Sequence, residues 1–483
     1  MPQFKTSQLF RFVLFGALLF AGCRGKEETA SSSSSGLHPP RRVFLITVDT
    51  LRADHMSLYG YPRATTPNLE RLAATGVTFD QAICQWPKTG SSFASMFTGL
   101  YPHTTGLTHK AALRIPEEYL TLPELFKESG YETFGVISNA VLAARLGWNT
   151  GFDDFAQTWG NGDFTDDPKG FRHLASALRV NDLAVPLLRR HAKAERLFAW
   201  IHYSDPHAPY ILPENRQNPF LMDAVFRGPG DRPLPARITK GYTLKGHSDL
   251  KYYVSQYDAN VLVADEYIDK LLAEMRSLGL LEDSLIIFAA DHGESLGEHN
   301  SWFEHGPLPY NTTAHVPLLL VMNGLPAGRR IDQPVELVDL YPTLRELIAP
   351  GREVPGLEGH SLWPLLRNGE PDSRDAAAFQ QAFSGAGRRP NLYSSVQETT
   401  WKLVFNAGGR RARLANSATG GFELYDLASD PLEARNLAAT KPEEVRRLRR
   451  ALVAWMRQAR AVGDEEEGDA ETERALRALG YIN

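Results

Sequence analysis

The run Asp291-His292-Gly293-Glu294 holds the densest group of chemically competent side chains in the chain. A carboxylate oxygen beside an imidazole nitrogen suits a divalent metal ion. Neighbouring residues can both face one ion where a strand breaks into a turn, and Gly293 permits such a turn. An isolated Asp-His pair in a loop is usually plain surface, so context has to carry the argument. The apolar run Ser284 to Ala290 leads straight into Asp291. Two more apolar runs behave alike: the one that starts at Val43 ends at Asp49, and Phe198 to Tyr203 leads into Asp205 and His207. Asp49 by itself could equally cap the turn that follows it.

The elements around these residues must bring the three run ends together. Val43 to Asp49 is short, apolar and β-branched, as expected of a strand buried on both faces of a parallel sheet. Glu132 to Ile137 and Pro317 to Met322 read as further strands, and Asn68 to Gly76, Leu122 to Gly130 and Val254 to Leu278 as helices. Strands alternating with helices predict an α/β sheet covered on both sides, with ligands bound beyond the carboxyl ends of the strands. After about Pro371 the character changes. Trp401 to Asn406 and Phe422 to Leu427 read as short strands, followed by a basic amphipathic helix with Pro442 near its start and Val445, Leu448, Leu452 and Trp455 on one face. Its arginines, and the acidic run Glu465 to Glu467, read as solvated surface.

With 483 residues the chain is long enough for one large domain and a smaller appended one. A net charge of −5 gives no reason to expect nucleic-acid binding, and two cysteines, Cys23 and Cys84, provide no disulfide framework. The N-terminus reads as a targeting signal. Lys5 and Arg11 flank an apolar run, Phe12 to Phe20, too short to span a bilayer comfortably. The stretch Leu19-Phe20-Ala21-Gly22-Cys23 resembles the bacterial lipoprotein cleavage box, with Phe20 where leucine is usual. Lipidation of Cys23 would place the protein in the cell envelope, exported and membrane-anchored. A plain secretory signal is the alternative. Arg24 to Pro40, with five consecutive serines, reads as a flexible tether. The expected organisation is 1–23 signal peptide, 24–42 tether, 43–371 catalytic domain, 372–462 C-terminal subdomain, and 463–483 acidic tail with a terminal helix.

The segment Ser92-Phe93-Ala94-Ser95-Met96-Phe97-Thr98-Gly99-Leu100-Tyr101-Pro102-His103 resembles the signature of the sulfatase family, in the alkaline-phosphatase superfamily. The resemblance extends through VDTLRADHMSLYGY, HYSDPHAPY, DHGESLGEH, WFEHGPLPYNTTAHVPLLL and ELYDLASDPLEARNL. It implies a large mixed, mostly parallel α/β sheet flanked by helices, with a smaller C-terminal α+β subdomain. In that family the signature opens on a cysteine or serine that is oxidised to formylglycine. Counting back from Thr98-Gly99 places this position on Thr89, the family's proline on Ser91 and its arginine on Phe93. Cys84 lies five residues too early. The family's lysine, expected near Gly135 to Asn139, is absent.

The resemblance implies a divalent ion, calcium, magnesium, manganese or zinc, held by Asp49, Asp291, His292 and Thr89. His207 and His305 would serve as catalytic groups, and Asp205 and Lys88 as substrate contacts. Thr50 stands where arylsulfatases carry a second aspartate, which favours one ion, although Asp205 and His305 leave room for a second. His202 is expected as a packed strand histidine, and Tyr59, Tyr61 and Lys88 as candidates to line the pocket. Threonine cannot become formylglycine, but other members of the superfamily use it directly as a nucleophile. A helix starting at Gly90-Ser91-Ser92 would turn free N–H groups towards an anionic ester. Thr89 could also merely cap that helix. The expected activity is hydrolysis of an anionic sulfate or phosphate ester, with phosphate favoured because a threonine ester must be cleaved by water. The alternatives are a phosphotransferase acting on envelope lipid or glycan, and a non-catalytic sulfatase-like lipoprotein.

Overall fold

The computed structural model describes residues 38–108, 114–158, 177–213, 216–221, 233–235, 238, 247–368, 377–384, 391–406 and 421–462. Cys23, most of the expected tether and the acidic tail lie outside these residues.

At the centre is β1 (Arg42–Val48), buried along nearly its whole length. It pairs in parallel with β5 (Leu197–Tyr203) on one side and β6 (Ser284–Ala290) on the other. All three are seven-residue apolar runs whose residues on both faces are covered, which is why they lack the alternation of a half-solvated strand. Beyond β5 the sheet continues in parallel through β3 (Glu132–Ile137) and β4 (Asp154–Gln157). Beyond β6 lies β9 (His315–Met322), antiparallel both to β6 and to β2 (Val77–Ile83). Two short strands, β10 (Arg329–Ile331) and β11 (Val335–Glu336), run parallel to β2, while β7 (Ser295–Leu296) and β8 (Trp302–Glu304) pair antiparallel with each other, apart from this sheet. The result is a mixed nine-stranded sheet, mostly parallel.

Helices α1 (Pro67–Ala73), α3 (Pro102–Thr105), α4 (Leu122–Glu128), α5 (Ala177–Arg190), α6 (Leu250–Ser277), α8 (Leu340–Ile348) and α9 (Trp363–Asn368) accompany it. The most important is α2 (Thr89–Thr98), whose residues are almost all buried. Small side chains at Gly90, Ser91, Ser92, Ala94 and Ser95 let this helix enter the core. Its buried hydroxyls find acceptors: Ser92 Oγ donates to the Asp291 carbonyl at 2.7 Å and Thr98 Oγ1 to the Ala94 carbonyl at 2.7 Å. Phe93 and Phe97 pack on Trp200, with ring centroids 4.9 and 4.8 Å apart. Gly99 ends the helix at φ 71°.

A second sheet, antiparallel, runs in the order β12 (Ala378–Ser384), β13 (Asn391–Gln397), β14 (Trp401–Asn406), β15 (Phe422–Asp426). Helix α10 (Pro442–Val462) lays Leu448, Leu452, Trp455 and Met456 against Leu403, Phe405 and Leu424 of that sheet. The sequence pattern anticipated β14, β15 and α10. It did not reveal β12 or β13, where glutamines and serines occupy buried positions. The fold also begins earlier than the expected boundary: Arg42 is already in β1, the Pro40 carbonyl accepts from Tyr131 Oη at 2.7 Å, and the Arg41 carbonyl accepts from Leu197 N at 2.8 Å. Among the described residues no helix is long and apolar enough to cross a membrane.

Candidate active site

The carboxyl ends of β1, β6 and β3 and the start of α2 meet at one point. After β1 the chain turns sharply, with Thr50 at φ 56°, an unfavourable conformation for a β-branched residue. It is held there from both sides. Tyr257 Oη donates to the Thr50 carbonyl at 2.7 Å, and Thr50 N donates to Asp291 Oδ1 at 3.3 Å. This turn delivers Asp49. The turn after β6 delivers Asp291 and His292. Gly293 does not need a positive φ there. What it supplies is room, because a Cβ would collide with the Thr312 backbone oxygen. Its N–H donates to the Thr313 carbonyl at 2.9 Å. Thr312 and Thr313 belong to α7 (Asn311–Ala314).

Asp49, Asp291 and His292 are fully buried. His292 Nδ1 donates to the Gly293 carbonyl at 2.9 Å, so Nε2 carries the bare lone pair. That nitrogen lies 3.2 Å from Thr89 Oγ1, 3.4 Å from Asp291 Oδ2 and 3.7 Å from Asp49 Oδ1. Burial pushes the Asp291 carboxyl up to about 7 and the His292 imidazole down to about 3, the latter aided by the nearby charge of His305. Asp49 Oδ1 and Asp291 Oδ2 are buried without a hydrogen-bond partner. Two orphaned carboxylate oxygens facing a neutral imidazole lone pair form a donor set that fits a divalent cation. His202, buried against Phe93 and Trp200, adds Nε2 at 3.9 Å from Asp49 Oδ2, and its ligand atom clusters with those of Asp49 and Asp291. Burial lowers its pKa to about 4.

Thr89 is the first residue of α2, and the flanking N-cap is Lys88. The hydroxyl of Thr89 points at His292 rather than capping its own helix. It also lies 3.5 Å from the amide nitrogen of Asn139, which donates to Asp49 Oδ2 at 2.5 Å. Asn139 Oδ1 accepts from Val141 N at 3.0 Å, and this fixes which end of the amide faces the site. Asn139 was not singled out from the sequence. The available signal was its place just past a strand end, where the family's lysine was sought and not found.

A second group adjoins the first. His207, Glu294 and His305 each place one ligand-type atom within 4.8 Å of the others. The His305 ring stacks on His292 with centroids 4.4 Å apart and meets His207 edge-on at 5.2 Å. His305 Nδ1 contacts Glu294 Oε1 at 3.0 Å. Glu294 Oε2 accepts from Tyr210 Oη at 2.6 Å and from Ala208 N at 3.3 Å. Both carboxylate oxygens of Glu294 are thus engaged by protein groups, while His207 Nδ1 donates to the Ala208 carbonyl at 2.7 Å. Burial works against a charged His305, but the hydrogen bond and charge of Glu294 outweigh it and hold the imidazole above its usual range. Burial likewise works against ionised Glu294, and the His305 hydrogen bond leads the terms that keep its carboxyl below the ordinary value.

The remaining residues expected at the site divide. The Lys88 side chain packs where a Cβ on Gly306 would sit. Asp205 is buried with one oxygen unpartnered, and burial pushes its carboxyl up to about 7. It joins neither cluster of ligand atoms. Tyr59 and Tyr61 are used by the fold: Tyr59 Oη donates to the Phe79 carbonyl at 3.1 Å and Tyr61 Oη to Asp258 Oδ2 at 2.8 Å. Cys84 is a buried free thiol whose pKa burial pushes up, the opposite of an activated nucleophile.

A family profile described as Sulfatase matches residues 41–349. An ulvan-active sulfatase of Formosa agariphila is 26% identical over 461 residues, covering 91% of this chain and 84% of its own. Human iduronate 2-sulfatase is 26% identical over 422 residues, 76% of this chain and 74% of its own. Among solved structures, the phosphonate monoester hydrolase of Agrobacterium radiobacter has a TM-score of 0.66 at 22% identity, covering 87% of this chain and 95% of that one.

Proposed function

The chain belongs to the sulfatase family and is a hydrolase of sulfuric or phosphoric esters, and from that premise we propose a metal-dependent enzyme that works through a covalent intermediate on Thr89. The observation that carries this reading is the position of the Thr89 hydroxyl: 3.2 Å from the bare His292 nitrogen, beside two unpartnered carboxylate oxygens, at the first turn of a buried helix.

Asp49, Asp291, His292 and Thr89 would hold the ion. When bound, it lowers the pKa of a hydroxyl and offsets charge developing on the ester. Thr89 Oγ1 gives its proton to solvent and bonds to phosphorus or sulfur. The N–H groups at the very start of α2, ahead of Ser92 N, which donates to the Lys88 carbonyl at 2.8 Å, would face the anionic oxygens. The leaving oxygen departs with the electrons of the broken bond and takes a proton from His305 or His207. Water then attacks the same centre, giving a proton back to that histidine, and Thr89 leaves as the alkoxide, which takes a proton from solvent to restore its hydroxyl. Glu294 keeps His305 in register throughout.

Threonine bears on the substrate. A formylglycine hydrate can expel sulfate by elimination, whereas a threonine ester needs a second attack in line, which phosphorus accepts more readily. We therefore favour phosphate mono- or diesters over sulfate esters. We also propose that Cys23 carries lipid and anchors the enzyme in the cell envelope. The test is release of nitrophenol from its sulfate, phosphate and methyl phosphodiester by the full chain, with manganese, zinc, calcium or magnesium added in turn. Phosphoester turnover lost in Thr89→Ala supports the proposal. Sulfate turnover that survives Thr89→Ala overturns the nucleophile.

A further inference from the structure

The turn that carries Asp291 and His292 leans on α7, and α7 is held from below by two buried charges of the C-terminal region. Lys402, on β14, and Glu433 are each about 1% exposed. Lys402 Nζ lies 2.9 Å from Glu433 Oε1 and donates to Asn311 Oδ1 at 2.7 Å. Asn311 N donates to Glu433 Oε2 at 2.6 Å. The first residue of α7 is thus gripped by its main chain and its side chain at once. Two residues on, the Thr313 carbonyl receives the Gly293 N–H, and the Thr312 backbone oxygen closes on the same glycine. Just ahead of α7, Tyr310 Oη donates to Glu423 Oε2 at 2.7 Å, and the Tyr310 ring stacks on His299 with centroids 3.5 Å apart. The links from Lys402 to the His292 turn are hydrogen bonds or backbone contacts, all between buried residues except at Asn311, which is partly exposed.

A buried ion pair is a poor source of stability, since apolar residues of similar volume often do as well. It does supply geometry, because removing either partner leaves specific polar groups unmet. We propose that the Lys402–Glu433 pair is a positioning device that sets the Asp291–Glu294 turn through Asn311. The C-terminal sheet would then be part of the catalytic apparatus without touching substrate. This inference rests on the reading of that turn as the metal-holding element.

The test uses the full chain and Lys402→Met, with Asn311→Ala as the milder variant, since it keeps the ion pair and removes one link. Arg447→Ala, which breaks the exposed pair with Glu398, controls for general loosening. Two quantities are read: affinity for manganese by calorimetry, and amide hydrogen exchange of the segment 291–296. The expected result in both site-directed variants is a manganese dissociation constant raised about tenfold or more, with faster exchange in 291–296, and neither change in Arg447→Ala. Exchange that rises only within the C-terminal sheet, with affinity within twofold, would make the pair purely structural and overturn the proposal. Failure of the unaltered chain to bind manganese would count against the metal reading, and the exchange of 291–296 would still decide the role of the pair.

Discussion

Asn139 offers the sharpest test of how the site is built. Its amide nitrogen donates to Asp49 and lies 3.5 Å from the Thr89 oxygen, while its carbonyl oxygen is fixed by Val141 N. Truncation to alanine removes one helix-cap bond, worth about 1 kcal/mol, and one charge-assisted bond to a buried carboxylate, worth about 1.5–3 kcal/mol. Asn139→Ala is therefore expected to lower stability by roughly 2.5–4 kcal/mol, which a domain of this size should tolerate. The catalytic effect is separate. A donor aimed at the reacting oxygen typically contributes about 10²–10³ in kcat. The expected outcome is a kcat loss of that order on the best nitrophenyl ester, with KM changed much less. Asn139→Asp should be at least as damaging, because it replaces the donor with a carboxylate against Asp49. Steady-state kinetics and a thermal melt on the same preparations separate the two effects. A kcat within twofold of the parent, in a variant that melts lower, would refute the idea that Asn139 acts on the nucleophile and leave it a structural cap.

Three further outcomes follow. Glu294→Gln should lower kcat/KM by about 10–100-fold; because the lost charge lets the His305 pKa fall, the alkaline limb of the kcat profile should also move to lower pH if protonated His305 is the acid. Cys84→Ala should leave kcat within twofold, since its thiol is buried and held protonated, and a large loss would reopen the choice of nucleophile. Asp205 has its carboxyl raised to about 7 by burial, so the folded chain holds this proton more tightly than the unfolded one. That contribution is complete below about pH 4 and is lost as pH rises through about 7, so Asp205→Asn should melt higher than the parent at pH 8, with an advantage that shrinks steadily towards pH 4; a difference independent of pH would contradict the shift.

The parts of the site that could be read in advance were those in which chain order and chemistry coincide. Asp49, Asp291 and His292 each follow a fully apolar strand, and buried parallel strands announce themselves by unbroken apolar runs. Thr89 was singled out by counting within a motif, and in the structure its hydroxyl lies 3.2 Å from His292 Nε2 and does not cap the helix end. Other parts depend on tertiary contacts that no local pattern encodes. Asn139 matters through residues 90 positions earlier and 50 positions earlier in the chain. Glu294 was visible in the Asp-His-Gly-Glu run, but its partners Tyr210 and His305 come from two other segments. Gly293 looked like a residue needed for backbone freedom and is needed for the close approach of Thr312. Strands β12 and β13 escaped because buried Gln380, Gln381, Ser394 and Ser395 break the apolar pattern, their polar groups being satisfied across the sheet.

The central claim is that Thr89 becomes covalently attached to the transferred group. The most direct measurement is acid quenching of the full chain during turnover of a slow phosphoester, followed by peptide mass analysis. The account predicts a mass gain equal to the phosphoryl group on the peptide containing Thr89, absent from Thr89→Ala and from chain stripped of metal. Steady turnover with no modified Thr89 peptide, or the same gain appearing on the Cys84 side chain, would contradict it.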